Sequence, residues 1–182
     1  MKEVLFLRHG ESEANRLGIC AGHADFDLTD KGIKQAESVG EELLDAGKKI
    51  DFIVSSPLRR ALHTAAIVAD ILESGVVVNA DAVERFRGDF ECRPSLDQHG
   101  MTDADYIKHG AESEASMLER AERLLGWIDR LDVDSCLVVS HNQFGRTLLA
   151  HAWGVERDNI DKLPNAKVIA VNPRMDDYGR IN

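Results

Sequence analysis

The sequence predicts an α/β fold of the doubly wound type, a three-layer sandwich with a mostly parallel central sheet and helices on both faces. Short apolar runs alternate along the chain with longer segments whose apolar residues recur at helical spacing. The strongest runs are continuously apolar, which is typical of strands buried on both faces of a parallel sheet. The regular alternation of strand and helix favours right-handed crossovers within one sheet.

Short apolar runs are predicted to form the strands. Each lies between segments of helical periodicity or loop residues, and each is short enough for a strand rather than a helix. The predicted strands comprise residues 4–7, 52–54, 76–78, 136–139 and 167–171.

Amphipathic segments between the strands are predicted to form the helices. Thr29 is a suitable N-cap for the first long helix, Asp30 is favourable in its first turn, and Gly47 ends it. Ser56 is predicted to cap the next helix, with Pro57 at its first position. The predicted helices comprise residues 11–17 (a short helix or turn), 30–46, 57–72, 104–108, 117–131 and 144–153.

The whole chain, residues 1–182, is predicted to form one domain. A chain of this length buries roughly 70% of its unfolded surface, and it shows no internal repeat, low-complexity segment or linker. Residues 81–112 lack strong periodicity and contain several glycines, so we predict a short irregular lid at about residues 85–112. The polar tail beyond Pro173 is expected to be loose.

Composition and charge exclude several classes of protein. The chain is 43% hydrophobic and 30% charged, and no stretch approaches the ~20 continuous apolar residues of a membrane span. Its net charge of −10 disfavours nucleic acid and anionic membranes as partners. Its three cysteines form no close pair, and no histidine pair has metal-ligand spacing, so neither disulfides nor a metal are expected. Without a signal-peptide pattern, a cytoplasmic location is expected.

Two of the predicted strands lead into a histidine. The run that ends at Leu7 continues into Arg8 and His9, and the run that ends at Val139 is followed after one serine by His141. Because the carboxyl ends of parallel strands meet at one edge of a sheet, both histidines are expected there. An arginine beside these imidazoles, close to helix amino termini, suits a bound phosphate.

Four blocks of sequence follow one another along the chain. They are R-H-G-E-S-E-A-N from residue 8, S-S-P-L-R-R-A from residue 55, E-R-F-R-G-D-F-E from residue 84 and V-S-H from residue 139. Together they resemble the histidine phosphatase superfamily, the phosphoglycerate-mutase-like enzymes, from residue 4 to about residue 171. The resemblance is to the phosphatase branch. It implies the fold predicted above and a phosphomonoesterase that needs neither cofactor nor metal.

The resemblance implies three catalytic residues. His9 would be the nucleophile that becomes phosphohistidine, and adjacent positive charge should keep its ring in the reactive neutral form. Glu84 would donate a proton to the leaving alkoxide and then act as base towards water. Because arginines lie nearby in sequence, the bound phosphate must supply the negative charge that keeps Glu84 protonated. His141 would donate a hydrogen bond to the phosphoryl group as an imidazolium.

The resemblance also implies the phosphate-binding residues. Arg8 and Arg60 match the family's arginine clamp, and Asn15 matches an asparagine that adds a donor, although a helix-ending role for Asn15 stays open. Asn142 stands where the family usually has glycine, and it is expected to contribute a backbone donor. Arg59, roughly 100° further round the helix, is expected to be solvated or at the substrate rim.

Other residues near these blocks receive weaker assignments. Gly22, Arg85 and Arg87 are candidates for the rim of the substrate site. Gln143 and Cys92 replace glycines that are usual in the family, and these changes bear on the size of the substrate. No catalytic role is expected for Glu91, His23, His63, His99, His109 and His151.

The predicted function is hydrolysis of a small phosphorylated metabolite. A phosphoglycerate mutase is the first alternative, but the stretch between Glu84 and His141 is short for a mutase, and a short lid excludes water poorly. A non-catalytic phosphate-binding protein is the second, and loss of His9 or Glu84 would be its signature. The identity of the phosphate ester and the oligomeric state, including a homodimer, are left open.

Overall fold

A computed structural model describes residues 2–98 and 100–172 of the chain. The predicted loose tail and the loop residue His99 lie outside the described residues. A central sheet of five strands has the order β3-β2-β4-β1-β5, and every predicted strand is present. The strands are β1 (Glu3–Arg8), β2 (Phe52–Ser55), β3 (Gly75–Val78), β4 (Ser135–Ser140) and β5 (Val168–Ala170).

The sheet is mostly parallel, as predicted. Strand β4 pairs in parallel with β1 and β2, β2 pairs in parallel with β3, and only β5 runs antiparallel to its neighbour β1. The chain leaves β4 at the carboxyl edge of the sheet and runs back through a helix. It then returns to that edge near Leu163, so the last strand descends beside β1 in the opposite direction.

Helices cover both faces of the sheet and complete the three layers. Alternate residues of β1 divide between the faces: Leu5 and Leu7 pack in one core cluster, and Phe6 packs in the other. In the described part of the chain, no helix is long and apolar enough to cross a membrane. The helices are α1 (Glu13–Leu17), α2 (Asp30–Asp45), α3 (Arg59–Leu72), α4 (Asp103–Lys108), α5 (Glu114–Arg130) and α6 (Asn142–Trp153).

Of the two predicted helix N-caps, Thr29 is confirmed and Ser56 is not. Thr29 caps α2 by accepting a 3.0 Å hydrogen bond from the Gly32 amide. The predicted cap of α3 is wrong, because the helix begins at Arg59 and its N-cap is Leu58, which has no side-chain capping bond. The Ser56 hydroxyl lies at the end of β2 and contacts the active-site region instead.

The segment between β3 and α5, residues 79–113, contains short 3-10 turns and the predicted short helix α4. It is attached to the amino-terminal loop: the Cys92 amide donates to the Cys20 carbonyl over 2.8 Å, and the Cys20 amide donates to the Arg93 carbonyl over 2.8 Å. Two residues thus oppose one, which is a β-bulge of the type that usually has glycine at its first position. Cys92 occupies that position with φ of 62°. Whether this segment acts as a lid stays a prediction.

Candidate active site

The carboxyl ends of β1 and β4 bring His9 and His141 together. The two strands are in register from end to end, with Arg8 opposite Ser140, so the next residues of both strands are neighbours. The His9 amide donates to the Ser140 carbonyl over 3.0 Å. The two imidazole rings meet edge to face with their centroids 5.1 Å apart. This is the juxtaposition that the two strand ends predicted.

The ring of His9 is held in one tautomer. Its Nδ1 lies 2.7 Å from the Gly10 carbonyl oxygen, which can only accept a hydrogen bond, so Nδ1 carries the hydrogen and Nε2 carries the lone pair. The side chain is buried, and burial together with the charges of Arg60 and Arg8 lowers the pKa of His9 well below its ordinary value. Burial and these two cations thus favour the neutral ring, in the direction that the sequence predicted, and the lone pair of that ring lies on Nε2.

The backbone after His9 is fixed by two close approaches. A Cβ atom at Gly10 would lie 2.3 Å from the Gly32 carbonyl oxygen, so only glycine lets this loop pass the start of α2. The Gly10 amide donates to the Thr64 hydroxyl over 3.1 Å, and that hydroxyl donates to the Arg60 carbonyl over 2.8 Å. The loop is thereby joined to the helix that carries Arg60.

Two buried guanidinium groups lie beside the histidines. Arg60 donates through its two terminal nitrogens to the carbonyls of Ala24 and Gly22, over 2.9 and 2.8 Å. Arg8 donates to the Leu163 carbonyl, while its buried Nε has no hydrogen-bond partner. Burial lowers the pKa of both arginines, and the charge of Glu84 opposes this. Two buried cations beside neutral imidazoles form a site for an anion.

His141 hydrogen-bonds through Nε2 to the Ser56 hydroxyl over 2.8 Å, and its buried Nδ1 has no partner. Burial first, and then the charges of Arg60, His9 and Arg8, lower the pKa of His141 well below its ordinary value. In the unliganded protein, burial and the nearby cations therefore disfavour a proton on this ring, and the imidazolium predicted for the phosphate-bound site stays a prediction. A neutral imidazole still has one N–H group to donate.

Glu84 lies at the amino terminus of α6, beside the second histidine. Its carboxylate accepts from the amides of Arg85, Gln143 and Phe144 over 2.9, 3.2 and 3.0 Å. Two of these donors belong to the first turn of α6, where unpaired N–H groups and the helix dipole favour a negative charge. The third sequence block and the fourth are thus joined at one carboxylate.

Asn142 begins the same helix. The amides of Gln143 and Phe144 donate to Glu84. The Asn142 amide is therefore the N–H group of the first turn that is available to a ligand. The Asn142 side chain is already used, since its Oδ1 accepts from the Leu163 amide over 2.9 Å. This hydrogen bond positions the loop at Leu163, whose carbonyl accepts a hydrogen bond from Arg8. The side chain therefore has a positioning role, and only the backbone fits the predicted contact with phosphate.

Asn15 has a capping role at the start of α1 and not the helix-ending role that the sequence left open, while its role as a phosphate donor stays a prediction. It is the third residue of α1, and its Oδ1 accepts from the Ser12 amide over 3.2 Å in a capping box. The same oxygen accepts from Asn165 over 3.1 Å, and Asn165 also donates to the His9 carbonyl over 2.9 Å. With Oδ1 occupied, the amide nitrogen of Asn15 is the group available as a donor.

The rim candidates separate into different environments. Gly22 has φ of 50° and presents its carbonyl to Arg60, and a Cβ atom there would lie 2.1 Å from Glu91 Oε1. Arg87 is buried next to this loop, and its Nε has no partner. Arg59 is exposed and pairs with Asp27, in agreement with the prediction that it is solvated.

The assignment of Arg85 to the rim is wrong. Its side chain is only 1% exposed, its Nε donates to the Glu112 carbonyl over 2.8 Å, and it pairs with Asp103. Its guanidinium carbon also lies 4.3 Å from the centre of the Tyr106 ring. Arg85 therefore cross-links the segment between β3 and α5, because its donors are taken by Glu112 and Asp103 of that same segment.

Sequence reasoning missed three residues that orient the site: Ser56, Asn165 and His23. Ser56 and Asn165 contact the catalytic candidates directly, as described above. His23 donates through Nε2 to the Glu84 carbonyl over 2.7 Å and packs against the ring of Phe86, with centroids 5.2 Å apart. The position of Ser56 at a strand end next to the V-S-H strand was the one usable signal. The other two contacts join distant loops.

The convergent groups define a class of site. The neutral His9, with its lone pair on Nε2, lies in a cluster of charged and hydrogen-bonding groups. These are two buried guanidinium groups, the second imidazole, an unpaired N–H group of the first turn of α6 and the carboxylate of Glu84. Across residues 2–98 and 100–172, no group of three or more histidine, cysteine, aspartate or glutamate side chains is arranged to hold a metal ion. Such an arrangement can bind a phosphoryl group and place a nitrogen nucleophile and a proton donor beside it.

The chain belongs to the histidine phosphatase superfamily. The sequence model of branch 1 of that superfamily matches residues 4–179, nearly the whole chain. The protein is therefore a phosphatase of this superfamily, as the four sequence blocks indicated.

Similar proteins include phosphatases over most of the chain. The chain is 31% identical over 160 residues to the adenosylcobalamin/alpha-ribazole phosphatase of Escherichia coli, covering 82% of this chain and 78% of that protein. The phosphoserine phosphatase of Entamoeba histolytica, solved with 3-phosphoglyceric acid, superposes with a TM-score of 0.78 at 27% identity. That match covers 92% of this chain and 89% of the solved one.

Similarity to mutases includes one match over nearly the whole chain: the phosphoglycerate mutase of Schizosaccharomyces pombe is 28% identical over 196 residues, which is 97% of this chain and 92% of that protein. A 2,3-bisphosphoglycerate-dependent phosphoglycerate mutase of Glaesserella parasuis is 43% identical over 68 residues, which is 37% of this chain and 30% of that protein. The stretch is more similar than any full-length match given above, but it leaves most of the mutase uncovered. The full-length match to a mutase is slightly lower in identity than the full-length match to the phosphatase above.

Proposed function

We propose that the protein is a cofactor-independent phosphomonoesterase that hydrolyses a small phosphorylated metabolite through a phosphohistidine on His9. The neutral ring of His9, with the lone pair on Nε2 next to Arg8 and Arg60, is the observation that carries the proposal. A protonated imidazole could not attack phosphorus, and a neutral imidazole without nearby cations would not attract the dianionic ester.

In the first step, the phosphoryl group lies between Arg8 and Arg60. The unpaired Arg8 Nε, the Nδ1 side of His141 and the Asn142 amide are the donors that support its oxygens. The Nε2 lone pair of His9 forms the P–N bond as the P–O bond of the ester breaks. The electron pair of that bond stays on the leaving oxygen, which takes the proton of Glu84.

In the second step, Glu84 acts in the opposite direction. As a carboxylate it accepts a proton from water, the water oxygen attacks phosphorus, and the P–N bond breaks to return the electron pair to His9 Nε2. The three backbone amides that donate to Glu84 hold its carboxylate in place for this step.

The phosphatase is favoured over the two alternatives on specific grounds. A mutase must keep water from its phosphoenzyme, whereas the segment that we predict to act as a lid contains only short 3-10 turns and the short helix α4. A non-catalytic binding protein has no use for a histidine held in the attacking tautomer beside a carboxylate at a helix terminus.

The first experiment measures phosphate release from a panel of phosphomonoesters in the presence of EDTA. The wild-type protein is compared with His9→Ala and with His63→Ala, in which an exposed histidine of α3 is removed. We expect turnover that survives chelation, falls by more than about a thousandfold in His9→Ala and persists in His63→Ala.

Each other outcome identifies an alternative. Transfer of label from a bisphosphoglycerate to a monophosphoglycerate, without comparable release of phosphate, would indicate the mutase. Folded protein that binds phosphate esters but releases no phosphate would indicate the binding protein. Full activity in His9→Ala would remove His9 from the mechanism.

A further inference from the structure

Arg120, on α5, forms a buried ion pair with Glu112 that the mechanism above does not use. Its Nε and one terminal nitrogen each donate to an oxygen of the Glu112 carboxylate over 2.8 Å. The side chains of Arg120 and Glu112 are only 11% and 12% exposed. Burial raises the pKa of Glu112, but the hydrogen bonds and charge of Arg120 outweigh burial, so this pKa lies below its ordinary value. A bidentate pair of charged groups fixes the orientation of both partners.

The other terminal nitrogen of Arg120 binds the chain just before the proposed proton donor. This Nη1 donates to the carbonyls of Asp81 and Val83 over 2.6 and 3.0 Å, and Val83 immediately precedes Glu84. The guanidinium carbon lies 4.8 Å from the centre of the Phe144 ring, and the Phe144 amide donates to the Glu84 carboxylate over 3.0 Å. Arg120 thus contacts both the backbone that leads into Glu84 and a residue that binds its carboxylate.

Glu112 binds the chain just after the proposed proton donor through its own backbone. Its amide donates to the Phe86 carbonyl over 3.0 Å, and its carbonyl accepts from Arg85 Nε over 2.8 Å. The Arg120–Glu112 pair is therefore attached to the chain on both sides of Glu84.

The segment that carries Glu84 has little regular secondary structure, with only short 3-10 turns and α4 between β3 and α5. Backbone groups that are not paired within a helix or sheet need other partners, and here the buried guanidinium of Arg120 supplies them from a long helix. The pair thus joins the position of Glu84 to that of α5.

We propose that Arg120 and Glu112 are positioning residues for the reaction, which hold Glu84 where its carboxyl group can protonate the leaving oxygen. This inference rests on the proposed function, in which Glu84 is the proton donor. Proton transfer requires a donor within hydrogen-bonding distance of the leaving oxygen, so a displaced Glu84 slows cleavage of an ester that is still bound. Loss of the pair should therefore lower kcat and leave KM nearly unchanged.

The test compares two esters that differ in how much they need a proton donor. The phenolate that leaves p-nitrophenyl phosphate is stable without a proton, whereas the alkoxide that leaves glycerol 3-phosphate is not. The value of kcat/KM, which includes every step up to cleavage of the ester bond, is measured for both compounds. A misplaced donor lowers the alkyl value more than the aryl value, whereas partial unfolding lowers both by the same factor.

The wild type is compared with Glu84→Gln, Arg120→Met, Arg120→Lys, Glu112→Gln and Arg123→Met. Glu84→Gln shows how the two values change when the donor itself is lost. Arg123 is the matched control, since it is an exposed arginine of α5 that pairs with the Asp81 side chain over 2.8 Å. Arg120→Met leaves the charge of Glu112 buried without its partner, so Glu112→Gln, which keeps the shape of the side chain, carries the test if Arg120→Met does not fold.

We expect Arg120→Met to lower kcat/KM for the alkyl ester by about tenfold to a hundredfold more than for the aryl ester, in the same direction as Glu84→Gln. Arg120→Lys and Glu112→Gln should lie between the wild type and Arg120→Met, and Arg123→Met should keep the wild-type ratio. Equal losses on the two esters in the Arg120 and Glu112 variants, or no loss, would overturn the positioning role while Glu84→Gln still changes the ratio.

Failure of the proposed function is recognised separately, in the wild type and in Glu84→Gln. If Glu84→Gln loses the same factor on both esters, Glu84 is not the proton donor, and the positioning role falls with it. If the wild type hydrolyses no phosphomonoester, the phosphatase proposal fails and this inference fails with it.

Discussion

At the scale of single residues, hydrogen bonds decide what the two histidines can do. The Gly10 carbonyl holds the hydrogen of His9 on Nδ1 and leaves the lone pair on Nε2. Ser56 contacts the Nε2 of His141 and leaves its Nδ1 as the unpaired nitrogen. Each ring therefore has one nitrogen bound by the protein and one available to a ligand, and the bound one determines the orientation of the ring.

Removing the Ser56 hydroxyl tests this positioning. We expect Ser56→Ala to lower kcat/KM for a phosphomonoester by about tenfold, which corresponds to the roughly 1–2 kcal/mol of one buried hydrogen bond. Ser56→Thr, which keeps the hydroxyl, should recover most of the activity. Ser38→Ala, at an exposed serine of α2, is the control. Equal activity in Ser56→Ala and the wild type would show that His141 needs no such support.

The lowered pKa values of His9 and His141 predict how stability changes with pH. Both rings stay neutral in the folded protein below pH 6.5, whereas the unfolded chain takes up protons there. The unfolded state then binds more protons, so the free energy of unfolding falls as pH decreases below about 6.5. The slope is about 1.4 kcal/mol per pH unit for each histidine.

Urea unfolding between pH 5 and 7 measures this slope. The double variant His9→Asn/His141→Asn should lose most of the dependence in this range, and His63→Asn should keep it. A wild type whose stability is flat between pH 5 and 6.5 would contradict the neutral assignment.

At the scale of elements, close packing of helix and sheet aligns the first turn of α6 with the strand ends. A Cβ atom at Gly145 in α6 would lie 2.3 Å from Phe6 Cζ and 2.7 Å from Leu163 Cδ1. Glycine therefore lets α6 lie directly on β1. The amides that bind Glu84 belong to the turn before it. A shift of this helix would move the candidate proton donor.

Two helical glycines provide a matched test of this packing. Gly145→Ala should destabilise the protein by about 1–3 kcal/mol, because the core around Phe6 has no space for the methyl group. Gly126→Ala in α5, where the nearest atom to a Cβ would be 3.6 Å away, should stabilise it by about 0.5–1 kcal/mol through helix propensity. Thermal or urea unfolding of both variants measures the contrast. A stabilised Gly145→Ala would contradict the tight contact.

At the scale of the whole molecule, the sequence predicted the architecture because its signals are local. Every strand is a short apolar run, and the apolar stripes of the long helices match the faces that they bury. The two strand-end histidines meet because parallel strands share an edge, which requires only the order of the elements. The strand β5 runs antiparallel, and no local pattern gave its direction.

Details of the site depend on contacts between distant residues, which local patterns do not contain. Serine is a residue type that commonly caps helices, which is what the sequence predicts for Ser56. It hydrogen-bonds to His141 because the end of β2 lies beside the end of β4, and this pairing cannot be derived from the local pattern. Arg85 and Arg87 lie in the same sequence block, and nothing in the sequence separates their roles. In the structure Arg85 pairs with Asp103, whereas the Nε of Arg87 has no hydrogen-bond partner. The protonation of His141 depends on how many cations share the same buried space.

The central claim is a covalent bond between phosphorus and His9, and a rapid-quench experiment tests it most directly. A phosphomonoester labelled in its phosphoryl group is mixed with enzyme, quenched in alkali within milliseconds and mapped by peptide. We predict a labelled, alkali-stable and acid-labile phosphoenzyme on the peptide that contains His9, formed before free phosphate and absent from His9→Ala. Phosphate release without any such intermediate, or label on another residue, would contradict the account.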